Sequence, residues 1–316
     1  MSFSGETKQE LSRLSVKAGH CRIAELAAIF LLCGSYSVRS DGRIFLVLQS
    51  EGLPVIRRAA YLLQVIGKGP GEVSVLGSGS WKKSRVYTLA VTDSARAIAI
   101  LKELRLMTQT GVLHETGGAA DSALLKRECC QRAFLRGAFL FSGAISDPTK
   151  SYHLEIVCSS KEFAEQLIEA FARFDVTARH MRRRSNEVVY IKDSEGISDA
   201  LTLMGAAAAR LKFENIRIYR GISGDVNRKV NCETANLNKT VTAGVSQLED
   251  IALIEETMGL SALPEVLREA ALARLDNPDA SLQELGELLV PPVGKSGMNH
   301  RFRKLKAIAA DIRKSC

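Results

Sequence analysis

The spacing of apolar positions divides the chain into two kinds of territory. From the N-terminus to about residue 210, short alternating runs rich in Val, Ile and Tyr are interleaved with amphipathic stretches. Period-two alternation marks half-buried strands, and apolar residues three and four apart mark helices. The first series predicts an apolar helix ending near Gly34, then strands at 36–40 and 44–49 around the Asp41-Gly42 turn. A helix over about 53–66, a hairpin with strands near 72–77 and 84–91, and a helix behind Asp93 complete it. The second series predicts a helix ending near Gly143 and strands at 144–146 and 152–158. A helix follows, opened by Ser159-Ser160-Lys161-Glu162, which has the spacing of a capping box. A hairpin over about 176–192 and a helix over about 194–209 close the series. Each series reads αββαββα.

The two series are copies. Residues 26–34 (Leu-Ala-Ala-Ile-Phe-Leu-Leu-Cys-Gly) and 135–143 (Leu-Arg-Gly-Ala-Phe-Leu-Phe-Ser-Gly) lie 109 residues apart and agree in type at most positions. The same offset pairs Ala24 with Ala133, Ala28 with Gly137, Phe30 with Phe139 and Gly34 with Gly143. Small residues at i and i+4 let two helix axes approach more closely than large side chains permit. These two segments are therefore predicted to pack on each other as a central pair. A linker over 107–126, containing Gly117-Gly118, joins the halves. The fold class is α+β, with two pseudo-symmetric repeats and an all-α C-terminal region.

Composition narrows the function classes. Lys and Arg total 43 against 35 Asp and Glu, so the net charge of +8 favours polyanionic partners. The longest apolar run, Leu26 to Cys33, is far short of the roughly 20 residues of a membrane-spanning helix, and no signal peptide is visible. The expectation is a cytoplasmic protein without a membrane partner. Seven scattered cysteines form no Cys-x-x-Cys pair, and adjacent Cys129 and Cys130 are expected to face different sides of a helix. That pattern predicts reduced, buried thiols, and five histidines without paired spacing argue against a finger-type zinc site. Neither metal nor cofactor is expected.

The nine-residue pattern resembles the LAGLIDADG motif of homing endonucleases, whose fold has the same αββαββα order. In active members of that family the eighth motif position is acidic, and the two acids hold divalent metal between the halves. Hard cations such as Mg²⁺ require oxygen ligands. Here the eighth positions are Cys33 and Ser142, which cannot replace two carboxylates, and Glu25 and Asp147 fall outside the motif register. No catalytic residue is expected.

Beyond about residue 221 the pattern changes. Residues 225–240 mix Asn227, Asn231, Asn236 and Asn238 with Arg228, Lys229 and Lys239. This stretch reads either as a polar connector, 221–242, or as a segment laid along phosphates. An amphipathic helix over about 243–258 follows. Three short helices finish the chain. One starts at Pro264 and ends before Asn277-Pro278. The next is opened by the capping box Ser281-Leu-Gln-Glu284 and runs to Leu289, and the third extends from near Ser296 to about Ile312. A short helix, a turn and a longer basic helix form a helix-turn-helix. On the last helix, Met298, Phe302 and Leu305 share one face, extended by Ile308 or Ala309 and Ile312. Asn299, His300, Arg303 and Lys304 occupy the opposite face, with Arg301 and Lys306 on the flanks. No acid occurs from Val290 to Ala310, so the helix start near Lys295-Ser296 offers free N–H groups to phosphate. Asn and Arg are suited to bidentate pairing with adenine and guanine. Lys82 and Lys83 beside Trp81, and Arg182, Arg183 and Arg184 at a hairpin tip, are secondary phosphate candidates, as are Arg228 and Lys229.

A degenerate LAGLIDADG repeat domain joined to a helix-turn-helix resembles the WhiA family of bacterial regulators. The matching stretches are Cys129-Cys130 through Gly143, Val189-Tyr-Ile-Lys192 and Asn227-Arg-Lys-Val-Asn-Cys-Glu-Thr-Ala-Asn236. They continue with Leu263-Pro-Glu-Val-Leu-Arg-Glu-Ala-Ala271, Asn277-Pro-Asp-Ala-Ser-Leu-Gln-Glu-Leu-Gly286 and Lys295-Ser-Gly-Met-Asn-His-Arg-Phe-Arg-Lys-Leu305. The resemblance implies a non-enzymatic, sequence-specific regulator that binds double-stranded DNA and associates with the nucleoid. It implies roles in cell division and chromosome segregation and, in spore formers, sporulation. A WhiB-type iron–sulfur partner is implied if the source is actinobacterial. The C-terminal part is similar to sigma-factor region 4, which makes RNA polymerase a further implied partner. DNA contact is implied for Ser296, Asn299, His300, Arg301, Arg303 and Lys304, with Ser281, Lys295 and Lys306 completing the candidate face. The implied domains are 1–106 (N-terminal arm and first repeat), 107–126, 127–220 (second repeat), 221–242 and 243–316. The competing readings are a nucleoid-associated interaction scaffold and a residual metal-dependent endonuclease.

Overall fold

The computed structural model of the chain describes residues 2–315 except 68, 70–71, 78–84 and 115–117. Two compact units are present, Met1–Arg220 and Gly221–Cys316. In the first, helix α1 (Phe3–Ser12) precedes α2 (Gly19–Cys33), β1 (Gly34–Val38), β2 (Ile44–Ser50) and α3 (Leu53–Ile66). The first half ends with β3 (Glu72–Gly77), β4 (Arg85–Val91) and α4 (Ser94–Glu103). The second half runs α5 (Glu128–Ser142), β5 (Gly143–Ile145), β6 (Leu154–Cys158), α6 (Lys161–Ala172), β7 (Arg179–Arg183), β8 (Asn186–Ile191) and α7 (Ser194–Met204). Their antiparallel sheets have equivalent orders, β1-β2-β4-β3 and β5-β6-β8-β7. The predicted αββαββα repeat is therefore the architecture of this unit.

The small residues at the 109-residue offset explain the centre. Helices α2 and α5 run side by side, and a Cβ on Gly137 would lie 2.4 Å from the Glu25 carbonyl oxygen and 3.0 Å from the Ala28 Cβ. No side chain fits there. At this crossing Glu25 is fully buried and bound by two arginines, one from each half. Arg58 of α3 donates from Nε and Nη2 to its carboxylate at 2.5 and 2.9 Å, and Arg136 of α5 donates at 3.0 and 2.7 Å. Arg58 also donates to the Leu14 carbonyl and Arg136 to that of Met204, at 3.2 Å for the latter. A buried charge is tolerated only when paired and hydrogen-bonded on all sides. Glu25, outside the nuclease motif register, is thus a structural clasp.

Each half keeps its own apolar core, one built on Leu26, Ile29, Leu46, Leu62 and Leu89, the other on Phe134, Phe139, Phe163, Phe171 and Leu201. Helix α1 packs Phe3 and Leu11 into the second of these cores, although the chain order assigned the N-terminal arm to the first repeat.

Four expectations are corrected. The helix of about 194–209 is broken, because Gly205 takes a left-handed conformation (φ 91°) that ends α7. The 221–242 connector does not exist as a loop, since α8 runs unbroken over Ala207–Met258 and absorbs both it and the helix of 243–258. Glu10 of α1 caps the start of α8, accepting from the Ala208 and Ala209 N–H groups at 2.8 and 2.9 Å. Ser160 caps α6 by accepting from the Phe163 N–H at 3.1 Å, so the residue three places on is Phe163 and no capping box forms. Finally, three of the seven cysteines come together: Cys21, Cys129 and Cys130 converge with His20 where α2 and α5 begin, and Cys129 and Cys232 are exposed where buried thiols were expected.

Candidate nucleic-acid interface

In the second unit, the latter part of α8 is followed by α9 (Glu265–Asp276), α10 (Leu282–Glu287) and α11 (Lys295–Ser315). Ser281 caps α10 in a complete box: its Oγ accepts from the Glu284 N–H at 3.3 Å, and Glu284 Oε2 accepts from the Ser281 N–H at 2.7 Å. Two N–H groups at the helix start are satisfied in this way. That bond holds the Glu284 carboxyl below the usual carboxylate range. Ser281 thereby spends its hydroxyl on the cap.

The turn between α10 and α11 depends on one close approach. The Val293 N–H donates to the Gly286 carbonyl at 2.8 Å, and a Cβ on residue 286 would lie 1.8 Å from the Val293 oxygen. Only glycine permits this spacing. Beneath the turn, Arg274 of α9 is buried and donates to Gln247 Oε1 at 3.0 Å and to the carbonyls of Asn277, Pro278 and Ala280 at 3.4, 3.1 and 2.5 Å. Its guanidinium lies 5.6 Å from the Phe302 ring centroid. Burial lowers its pKa. A single side chain thus ties α8, the α9–α10 turn and α11 together.

The apolar face of α11 is as its spacing predicted. Met298, Phe302, Leu305 and Ala309 are buried in a core with Ile251, Ile254, Leu267 and Leu285, and Ile308 and Ile312 pack at its edge. Opposite this face, Lys295, Ser296, Asn299, His300, Arg303, Lys304 and Lys306 are all exposed. Arg301 differs. Its side chain is only 17% exposed, donates to the Val266 carbonyl at 3.0 Å and pairs with Glu269 at 3.3 Å, so it fastens α11 to α9. Near the other end, Arg313 pairs with buried Asp250 of α8 at 2.8 Å. These two ion pairs fix the helix from both sides; Lys314 pairs with Asp311 at 3.7 Å, and Lys295, Arg303, Lys304 and Lys306 are exposed to a ligand.

An open groove of about 620 Å³ separates α11 from α8 within this unit. Asn299, Arg303 and Lys306 line one wall, and Asn238, Lys239 and Ser246 contribute the other. Lysine and amide groups on both walls, with Arg303 on one, suit an anionic, hydrogen-bond-accepting backbone such as nucleic acid, and the Asp250 carboxylate that also lines the groove is paired with Arg313. Sequence reasoning grouped Lys239 with a connector and overlooked Arg274. The available signal was helical spacing through Val226, Val230, Leu237, Val241 and Val245, which the asparagine-rich composition concealed.

The secondary candidates are distributed differently. Arg182 and Arg183 lie on the exposed edge strand β7, Arg182 3.8 Å from Glu187 and Arg183 3.9 Å from Glu155. Arg184 occupies the hairpin turn with φ 58°. Arg228 and Lys229 are exposed on α8, Arg228 pairing with Asp225. Trp81, Lys82 and Lys83 lie outside the described residues.

The positions that bear acids in LAGLIDADG nucleases carry no carboxylate. Cys33 ends α2, its thiol pushed up to about 12 by burial, and Ser142 ends α5, its hydroxyl donating to the Ala138 carbonyl at 3.3 Å. Among the described residues, the grouping of His, Cys, Asp or Glu side chains close enough to share an ion lies at the opposite ends of these helices.

Comparison with known proteins covers both units. Residues 19–107 match the WhiA N-terminal LAGLIDADG-like domain, 131–223 the WhiA LAGLIDADG-like domain and 226–309 the WhiA C-terminal HTH domain. The chain is 42% identical over 312 residues to the "Probable cell division protein WhiA" of Heliobacterium modesticaldum, covering 98% of this chain and 96% of that protein. It is 43% identical over 313 residues to the protein of the same name from Desulforamulus reducens, covering 99% and 97%. Among solved structures, full-length DUF199/WhiA from Thermatoga maritima superposes with a TM-score of 0.59 at 26% identity, covering 98% of this chain and 99% of that one.

Proposed function

The chain belongs to the WhiA family, and on that premise we propose that it is a non-enzymatic, sequence-specific DNA-binding regulator of transcription. The observation that carries this reading is the outer face of α11, where Lys295, Ser296, Asn299, His300, Arg303 and Lys304 are exposed on a helix whose other face is sealed into a core. A helix mounted this way, behind a short helix and a tight turn, suits the major groove. Asn299 and Arg303, one turn apart, are assigned to base edges, and Lys295, Ser296 and Lys306 to phosphates. Arg301 is assigned to positioning, because its guanidinium is held by α9.

The relatives bear the name of a cell division protein, which supports a role in division; chromosome segregation, and sporulation where the source forms spores, belong to the same proposal. The site of action is the nucleoid. RNA polymerase, and a WhiB-type iron–sulfur protein in an actinobacterial source, are the partners this role would engage. The absence of carboxylates at positions 33 and 142 supports a repeat domain without nuclease chemistry.

Genome-wide DNA occupancy of the full chain beside an Asn299→Ala, Arg303→Ala variant tests the reading. Sharp promoter peaks that disappear in the variant are the expected result. Broad occupancy unchanged by both substitutions would overturn it and favour a scaffold attached loosely to the nucleoid.

A further inference from the structure

The 109-residue repeat has a consequence at the start of the central helices. His20-Cys21 and Cys129-Cys130 occupy equivalent places in the two copies, and both fall in the first turn of their helices, α2 and α5. Side-by-side packing of α2 and α5 brings the pairs together: the His20 Nδ1 lies 3.2 Å from Cys130 Sγ, 3.3 Å from Cys21 Sγ and 3.9 Å from Cys129 Sγ. All four ligand atoms lie within 4.8 Å of one another. Cys21 and Cys130 are buried, whereas His20 and Cys129 face solvent. The inner two thiols pack with Ala24 and Ala133, edged by Val16, Ala18 and Leu125.

From this geometry we propose that His20, Cys21, Cys129 and Cys130 form a structural zinc site that clips the two repeats together. Three sulfurs and one imidazole nitrogen are a donor set of closed structural zinc centres. With bonds of about 2.3 Å to sulfur and about 2.0 Å to nitrogen, a zinc tetrahedron has edges of roughly 3.5–3.8 Å. The three N–S separations bracket that range, so small side-chain rotations complete the tetrahedron. Hard cations are disfavoured because no oxygen donor belongs to the cluster. Binding converts three thiols to thiolates with release of their protons, which leaves the Zn²⁺ centre with one net negative charge. The surroundings compensate that charge. Neither α2 nor α5 has a side-chain cap at its N-terminus, so both present positive dipole ends. Arg127 adds a cation beside Cys130. The exposed pair gives the ion an entry path, and the buried pair gives it a dry floor.

The site belongs to the first unit and the DNA-reading helix to the second, so DNA contact by the second unit is expected to survive its loss. It lies at the opposite ends of the helices from the positions that hold metal in nucleases. Its role is therefore to hold the repeats, not to cleave.

The test uses the full-length chain, fully reduced, purified with zinc and dialysed, with metal content measured by mass spectrometry. About one zinc per chain is expected. Replacement by cobalt(II) should give the visible bands of a tetrahedral, thiolate-rich centre. Cys129→Ser and His20→Ala change exposed side chains, so both variants should fold, lose the bound zinc and alter the cobalt spectrum. Chelation of the wild type should lower the Tm by on the order of 5 °C, with no further loss in Cys129→Ser. A reduced wild-type chain that retains no zinc would overturn the proposal. So would zinc content unchanged in both variants, iron–sulfur absorption in place of zinc, or a Cys21–Cys130 disulfide in protein isolated from cells.

Discussion

Both units bury arginine, but they use it for different purposes. In the first, Arg58 and Arg136 converge on the single carboxylate of Glu25, and the group joins side chains from both repeats. In the second, Arg274 meets no carboxylate at hydrogen-bonding distance among its described contacts. Its partners are one amide oxygen and three carbonyls at the end of α9. The ionic clasp fixes how two halves of one unit meet, and the carbonyl clasp fixes the turn that presents α11. Charge pairing suits a seam between repeated halves, since each half supplies one partner or more. Carbonyl pairing suits a helix end, where backbone acceptors are left over.

The comparison can be broken by removing one partner at a time. Glu25→Ala leaves two guanidinium groups buried without their counter-ion and should destabilise the first unit by about 3–5 kcal/mol. Denaturant unfolding followed by probes in each unit would show it, with the second unit's transition unmoved. Loss in both transitions would mean that the clasp is not local. Arg274→Met keeps bulk but strands the carbonyls, at a cost of roughly 2–4 kcal/mol in the second unit. DNA affinity should fall with it, because α11 loses its support. Preserved affinity in a destabilised protein would separate the turn from DNA reading.

Smaller effects sharpen the distinction between holding α11 and using it. Arg303→Ala should leave unfolding unchanged and lower specific over nonspecific DNA binding by ~1–3 kcal/mol at one base position. Equal weakening on every sequence would reassign Arg303 to a phosphate. Arg301→Ala should do the reverse, weakening the fold by up to about 1 kcal/mol with little change in base preference. Ser281→Ala should cost about 1 kcal/mol through the lost cap, readable as a lower urea midpoint for the second unit. The Glu284 half of that box adds a pH dependence. A carboxyl held below its ordinary range stabilises the fold at neutral pH and loses that contribution as pH falls through its folded pKa. Glu284→Gln should flatten this acid limb, and an unchanged acid limb would show that the box is not maintained in solution.

The repeat architecture was legible because both signals for it are local. Strand alternation and the spacing of Ala24, Ala28, Ala133 and Gly137 survive in linear order, and the helix caps at Asp93 and Ser281 mark true starts. The apolar face of α11 was legible for the same reason. Two features were misread, one where composition outweighed period and one where period was followed through a glycine. Asparagines over 225–240 suggested a connector, although Val226, Val230, Leu237 and Val241 keep helical spacing through it. A helix of 194–209 was expected across Gly205, whose left-handed backbone instead ends one helix before α8 begins. DNA contact for Arg301 was implied by the resemblance, while the helical wheel put it on a flank; neither shows neighbours, and Glu269 of α9 is the one it pairs with.

By itself, the sequence determined the repeated αββαββα plan, the loss of acids at positions 33 and 142, and the basic face of the last helix. Each of these depends on residue type and on separations within one element or one repeat. Tertiary structure alone decided what lies beside what. Glu25 became the counter-ion of Arg58 and Arg136, Arg274 the clasp of the α9–α10 turn, and His20 the neighbour of three thiols. The physical reason is range. Backbone propensity and amphipathic period act over a few residues, whereas ion pairing, carbonyl capture and ligand clustering depend on distances that exist only after the helices have packed.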